Sequence, residues 1–229
     1  MKSKSSSTRR GFIKKSLAAA IAMPVVSSFE EKILLAQSQS GQPSSENKSS
    51  VDMPYGTIGK VKISRIICGG NLISGYAHSR DLIYVSRLLK EYFTDEKIMR
   101  TWELCEQNGI NTMIFNPHDA HAVAVLKKYR QNGGKIQYFA QLDPNPSDIS
   151  KNIKEAVDQG AVGILLVGNY GDAWTRENKI DLIARFIETV KAQGVISGVA
   201  GHEIRTIMAV EKAGIKPDFY MKTLHSHNY

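Results

Sequence analysis

Residues 149–167 read ISKNIKEAVDQGAVGILLV. Ile149 and Ile153 lie one helical turn apart, which predicts a helix with one buried face. Gly160 follows this pattern and suits the left-handed residue that ends a helix. The apolar run at 162–167 is short and shows no polar alternation, as expected of a strand that is buried on both faces. The stretch therefore predicts a helix, a closing glycine and a strand, in that order.

This helix-glycine-strand unit recurs along the chain. Glycines that close a helical pattern and precede an apolar run stand at positions 109, 133, 160, 194 and 214. The intervals between them are those of successive helix-plus-strand units. Together with an earlier apolar run, they predict six strands, at residues 66–68, 112–115, 136–140, 162–167, 195–200 and 218–221.

Buried strands separated by helices favour an α/β fold with a parallel sheet. Two architectures fit this pattern, a doubly wound open sheet and a (β/α)8 barrel. No Gly-x-Gly-x-x-Gly turn follows the first strand, where a dinucleotide-binding open sheet would carry it. Polar residues instead follow every strand, as on the working face of a barrel. We therefore predict a parallel (β/α)8 TIM barrel, truncated after six of its eight β/α units.

The positive charge of the chain is concentrated at its beginning. The 229 residues carry a formal net charge of +8, and the first 26 residues contain six lysines and arginines and no acidic residue. The remaining 203 residues therefore carry a net charge of only +2. A nearly neutral body gives no electrostatic reason to expect a nucleic-acid partner.

Residues 7–14, STRRGFIK, resemble a twin-arginine (Tat) export signal. The mildly apolar run at 17–26 is too short for a stable membrane anchor, because a spanning helix needs about 20 apolar residues. We expect a signal peptide at 1–36, a flexible polar linker at 37–52 and the barrel domain at 53–229. The resemblance implies the Tat translocase as a partner and a periplasmic or other extracytoplasmic location. A disordered basic tail is the alternative.

The stretch from Gly59 to Asn71, GKVKISRIICGGN, resembles the opening of the aldo/keto reductases, as does CEQNGINT at 105–112. That resemblance implies a TIM barrel, a nicotinamide cofactor, NAD(P), and a catalytic tetrad of Asp, Tyr, Lys and His. The matching places hold Asn116, Gln141 and the pair Gly168-Asn169, and the first tyrosine after Asn116 is as distant as Tyr129. Carbonyl reduction by that tetrad is therefore not expected.

Polar side chains directly after the predicted strands are the candidate site, since strand ends meet on one face of a barrel. Asp143 and Asp172 are among them, and all six histidines lie in such segments. For proton transfer we expect His202, Glu203, Asp119 and His118, although Asp119 is also suited to cap a helix. For substrate binding we expect a larger set: Asn71, His78, Arg80, Asp81, Asn116, Gln141, Asn169, Trp174 and Lys222. Trp174, in the loop predicted after the fourth strand, would stack on a sugar ring.

His225 and His227 lie two residues apart after the last predicted strand. Alternation along a strand puts them on one side, where they could share a divalent metal with His202, Glu203 or Asp119. Solvent-exposed loop histidines are the equal alternative.

These features predict an exported barrel enzyme that acts on a small polar, carbohydrate-like substrate by proton transfer, with a divalent metal as an option. Isomerase, epimerase, lyase and hydrolase chemistry all stay open. The alternatives are an aldo/keto reductase-like oxidoreductase that uses His118 as proton donor, and a non-catalytic ligand-binding barrel.

Overall fold

The computed structural model describes residues 52–77 and 82–224. The predicted signal peptide and nearly all of the linker lie outside these residues. So do five predicted site residues: His78, Arg80, Asp81, His225 and His227.

Six parallel strands form the main sheet, and they are hydrogen-bonded in the order in which they occur along the chain. An antiparallel hairpin of β1 (Tyr55–Ile58) and β2 (Val61–Ser64) precedes them. The sheet consists of β3 (Cys68–Gly69), β4 (Thr112–Phe115), β5 (Gln137–Leu142), β6 (Ala161–Leu166), β7 (Ile196–Gly201) and β8 (Phe219–Lys222). This strand order, with a helical crossover between neighbouring strands, is that of a TIM barrel, so the predicted fold class is confirmed.

Seven α-helices lie in the described part of the chain: α1 (Val85–Tyr92), α2 (Asp95–Gln107), α3 (Ala120–Gln131), α4 (Ile149–Asp158), α5 (Gly168–Arg176), α6 (Ile180–Ala192) and α7 (Ile204–Lys212). The glycines predicted to close helices all have positive φ, from 71° at Gly214 to 93° at Gly133. None of the helices among the described residues is long and apolar enough to cross a membrane.

The sheet separates two hydrophobic clusters. The outer cluster, which includes Trp102 and Phe186, packs the helices against the sheet. The inner cluster is centred on Ile63, Phe139 and Ile196, and Phe219 packs against it. Since Ile196 and Phe219 are the first residues of their strands, the inner cluster lies toward the amino ends of the strands. The hairpin residue Ile63 covers that end, and polar side chains lie at the carboxyl ends of the strands.

The inner face of the sheet is concave. Phe139 on β5 and Phe219 on β8 have ring centroids 5.6 Å apart, although β6 and β7 lie between their strands. Neighbouring strands are about 4.8 Å apart, and the two rings meet because the sheet curves and because Phe139 leans over Gly163 and Phe219 over Gly198. These two side chains therefore meet above the intervening strands at the amino ends of the sheet.

Candidate active site

A histidine and a carboxylate form the best-buried polar pair at the carboxyl ends of the strands. His202 follows β7 directly, and its Nδ1 lies 2.8 Å from Oδ2 of Asp172 on α5. The side chains are 15% and 3% exposed, respectively. A histidine held by a buried carboxylate in this way has a defined ring orientation, which acid–base catalysis requires.

Asp172 accepts hydrogen bonds from several donors at once. Thr206 Oγ1 donates to Oδ1 at 2.6 Å, and the backbone amides of His202 and Glu203 donate at 3.0 and 3.3 Å. Burial opposes ionisation of this carboxyl group, but the hydrogen bonds from Thr206, His202 and Glu203 outweigh it and hold the pKa of Asp172 below its usual value. Asp172 is therefore a carboxylate that only accepts, so His202 carries its hydrogen on Nδ1.

A second histidine–carboxylate pair lies at the ends of β4 and β5. His118 Nδ1 lies 2.8 Å from Oδ1 of Asp143, and Asn116 Nδ2 donates to the same oxygen at 2.8 Å. On its other side, His118 Nε2 is 3.5 Å from Asn152 Nδ2, at the outer limit of a hydrogen bond. This pair is more open to solvent than the first, with side chains 46% and 36% exposed.

Glu203, which is also predicted to transfer a proton, lies in a cluster of ion pairs next to His202. Arg176 Nη1 lies 2.7 Å from Glu203 Oε1, and Arg205 forms an ion pair with Oε2. Both carboxylate oxygens of Glu203 are thus paired with guanidinium groups. We therefore interpret Glu203 as the centre of an ion-pair cluster beside the site.

Two further predicted site residues, Asp119 and Trp174, lie at the start of a helix and within a helix. Asp119 is the N-cap of α3, and its Oδ1 accepts from the amides of His121 and Ala122 at 3.1 Å each. The helix cap was the alternative interpretation of this residue. Trp174 lies in α5 rather than in a loop and is only 5% exposed, with its ring packed edge-on against Tyr170. The predicted loop location was wrong, because β6 is followed at once by a helix.

The other predicted substrate-binding residues are distributed as alternation along the strands requires. Gln141 follows the inward-pointing Phe139 by two residues and faces the interior. Lys222 lies on the same side as Tyr220, which packs on the outer cluster, so it faces away from the interior, and its Nζ donates to the carbonyl of Thr223. Asn71, after β3, and Asn169, in the first turn of α5, are both exposed.

Within residues 52–77 and 82–224, no group of three or more His, Cys, Asp and Glu side chains is arranged to hold a metal ion. His225 and His227 lie outside the described residues, so the predicted metal site stays a prediction.

Sequence reasoning did not find three residues that shape the site. Thr206 and Asn152 lie on helices; Thr206 donates a hydrogen bond to Asp172, and Asn152 contacts His118. Gly168 begins α5 directly beside the His202 ring. The only available signal was that each of them lies within a few residues of a predicted strand end or on the helix that follows it.

Comparison with known proteins identifies similar solved structures but no family. No protein-family model matches the chain, and no curated protein matches it, so the resemblance to aldo/keto reductases stays a prediction. The crystal structure of a proposed deoxyribose-phosphate aldolase from Coccidioides immitis is similar, with a TM-score of 0.45 and 17% sequence identity. The match covers 59% of this chain and 57% of that chain, so the chain spans little more than half the length of the aldolase. At this level of similarity the match does not indicate a reaction.

Proposed function

We propose that this protein is a TIM-barrel enzyme that moves a proton at a small polar, carbohydrate-like substrate, with His202 as the acid–base group. The observation that carries the proposal is the 2.8 Å contact between Asp172 Oδ2 and His202 Nδ1, at the carboxyl ends of the strands. Active sites of TIM barrels lie at that end, whatever the reaction.

The tautomer of His202 determines which of its ring nitrogens exchanges a proton with the substrate. Since Nδ1 carries the hydrogen and donates to Asp172, proton exchange with the substrate takes place at Nε2. When Nε2 takes up a proton, the imidazolium is stabilised by the buried carboxylate, which is already ionised. Asp172 is thus a positioning residue, and Thr206 holds it in place through a 2.6 Å hydrogen bond.

Amide and carboxylate side chains beside the interior of the barrel favour a substrate that carries many hydroxyl groups. Gln141 faces the interior, and Asn116 and Asp143 lie at the ends of neighbouring strands, bonded to each other at 2.8 Å. These groups offer donors and acceptors at fixed positions, which is how protein sites bind sugar hydroxyls.

The test is solvent-proton exchange. The purified protein is incubated in D2O with a panel of aldoses, ketoses, hydroxy acids and their phosphate esters, and deuterium at carbon is followed by NMR. We expect incorporation into at least one compound and a loss of at least about a hundredfold in His202→Asn and Asp172→Asn, the range for a lost acid–base group. His121→Asn is the matched control, since His121 binds Asp95 on the helical side at 2.8 Å and is 55% exposed.

Equal exchange by the wild-type protein and His202→Asn would overturn the proposal. Tight binding of a panel compound without any exchange would instead favour the non-catalytic binding barrel.

The residues present do not fit the aldo/keto reductase alternative. The places of that family's aspartate and lysine hold Asn116 and Gln141, and the Asn116 amide is bonded to Asp143. Neutral amides supply neither the carboxylate nor the ammonium group that this mechanism uses, so the site does not support nicotinamide-dependent carbonyl reduction by that tetrad.

We further propose that the protein acts outside the cytoplasm after export by the Tat translocase. The proposal is supported by Arg9-Arg10 and the apolar run that follows them. Replacement of both arginines by lysine keeps the charge and should leave the protein in the cytoplasmic fraction. Unchanged recovery from the periplasm would contradict it.

A further inference from the structure

The chain contains two cysteines, Cys68 and Cys105, and the fold brings both to the layer between the sheet and its helices. Cys68 lies on β3 in register with Met113 of β4, and Met113 is part of the outer hydrophobic cluster. Register partners on neighbouring parallel strands point to the same face of a sheet, so Cys68 also points toward the helices. Its side chain packs against the outer cluster.

Cys105 reaches the same layer from α2, the helix that leads into β4. On α2, Ile98 and Trp102 are fully buried, and Cys105 lies on the same face, seven and three residues after them. It packs against the outer cluster as Cys68 does. The two side chains interact directly, since the Cys105 thiol is a hydrogen-bond partner of Cys68.

We propose that Cys68 and Cys105 form a disulfide bond in the exported protein, and that this bond fixes the edge strand β3 to α2. The proposed acid–base reaction uses neither cysteine, so this inference goes beyond that reaction. It takes only the compartment from the proposed export, because thiols stay reduced in the cytoplasm and are oxidised outside it.

Strand β3 has few other restraints. It is two residues long and pairs in the main sheet with β4 alone, at Cys68 with Met113 and at Gly69 with Ile114. A strand that short contributes few ladder hydrogen bonds, so a covalent link to α2 adds a restraint that the sheet does not supply. Asn71, at the carboxyl end of the sheet, follows β3 by two residues and would be held with it.

The environment of the two thiols determines which one reacts first. Both are only partly buried, so an oxidant can reach them. Burial and the neighbouring Cys105 raise the pKa of Cys68 to about 12, which keeps Cys68 protonated at neutral pH. Because the thiolate is the nucleophile in disulfide exchange, we expect Cys105 to attack the oxidant first.

The oxidant is a disulfide, either that of a thiol oxidase in the cell envelope or oxidised glutathione in solution. Cys105 loses its proton to solvent and attacks this disulfide, which forms a mixed disulfide and releases one thiolate. Cys68 then loses its proton, and its sulfur displaces the second thiolate from Cys105. The two cysteines are oxidised by two electrons in all, and the donor disulfide is reduced to two thiols.

The first test is oxidation of the purified, reduced full-length protein with glutathione buffer. Free thiols are then counted by mass spectrometry after maleimide labelling in denaturant. We expect both thiols to be lost, with no bound glutathione and no covalent dimer. The oxidised protein should melt about 5–15 °C above the reduced protein, the range for a disulfide in a chain of this size.

The matched control is Cys105→Ala, which keeps Cys68 and removes only its partner. Its melting temperature should not rise on oxidation. Two thiols that survive in the wild-type protein, glutathione bound to either cysteine, or a disulfide between two molecules would each overturn the proposal. An internal disulfide that leaves the melting temperature unchanged or lowers it would overturn the restraint on β3.

The same thiol count on protein taken from cells separates this proposal from the proposed export. Wild-type protein from the periplasm should carry no free thiol, and the variant with Arg9→Lys and Arg10→Lys should carry two. Free thiols in periplasmic protein would overturn the bond and leave the export proposal standing. Wild-type protein found only in the cytoplasm would overturn export, and the glutathione experiment would still decide whether the two cysteines pair.

Discussion

Gly168, the first residue of α5, lies against the imidazole ring of His202. A methyl group on its Cα would stand 2.8 Å from Cε1 and 3.1 Å from Nδ1 of that ring. Three residues later, a methyl group on Gly171 would stand 2.3 Å from the carbonyl oxygen of Ala200. The amino-terminal half of α5 is thus in close contact with two features, the side chain of His202 just after β7 and the backbone of β7 at Ala200.

Gly168→Ala should reduce activity with little effect on stability. The added methyl group displaces the His202 ring, and misplacement of a reacting group by about 1 Å can cost about a hundredfold in rate. Alanine is a better helix former than glycine, which offsets the crowding in the folded state. Solvent-exchange rates and melting temperatures measure the two effects. Gly171→Ala is the contrast, since a backbone carbonyl cannot move aside and we expect a loss of roughly 1–3 kcal/mol of stability.

The ionisation of Asp172 should make stability depend on pH in the acid range. Folding lowers the pKa of this carboxyl from the ordinary value of 3.8, so its contribution is complete above pH 3.8 and is lost as the pH falls through the folded-state value. Asp172→Asn lacks this contribution. The difference in the free energy of unfolding by urea between wild type and Asp172→Asn should therefore narrow below about pH 4. A difference that stays constant down to about pH 3 would contradict this account.

Glu203→Gln should retain activity within a few-fold. The ion pairs with Arg176 and Arg205 occupy both carboxylate oxygens, whereas loss of a true general base costs about 10²–10⁴-fold. Because the two arginine side chains are 45% and 66% exposed, each ion pair should contribute no more than about 1 kcal/mol. The rate of deuterium exchange into the substrate, measured for Glu203→Gln, tests this prediction. A hundredfold lower rate would indicate that Glu203 is a proton-transfer group after all.

Trp174→Ala should destabilise the fold by about 3–5 kcal/mol, as expected for a buried tryptophan in a packed cluster. Trp174 is 5% exposed and contacts Tyr170 at a centroid distance of 5.6 Å. Urea unfolding measures the loss. Tyr76→Ala, at a residue that is 58% exposed, is the control with little change. A Trp174→Ala protein of normal stability that no longer saturates with substrate would instead favour the predicted stacking role.

Most of the fold could be predicted because its signals are local. The strand predicted at 112–115 is β4 with the same bounds, and the others shift by one or two residues. The helix α5 was missed for a physical reason. It begins at Gly168 after Val167, which provides no capping hydrogen bond from its side chain, and it contains a second glycine, so it lacks the usual signs of a helix start.

Periodicity and glycine chemistry determined the order of elements and the set of polar residues at the strand ends, because both act between residues close in the chain. Only the tertiary structure decided which of those residues are partners. Asp172 pairs with His202 across 30 residues, and Glu203 is drawn to Arg176 across 27. Such pairs depend on the rotation of each helix about its axis and on the curvature of the sheet. The packing of the two hydrophobic clusters determines both, and no pattern of residues close in the chain predicts them.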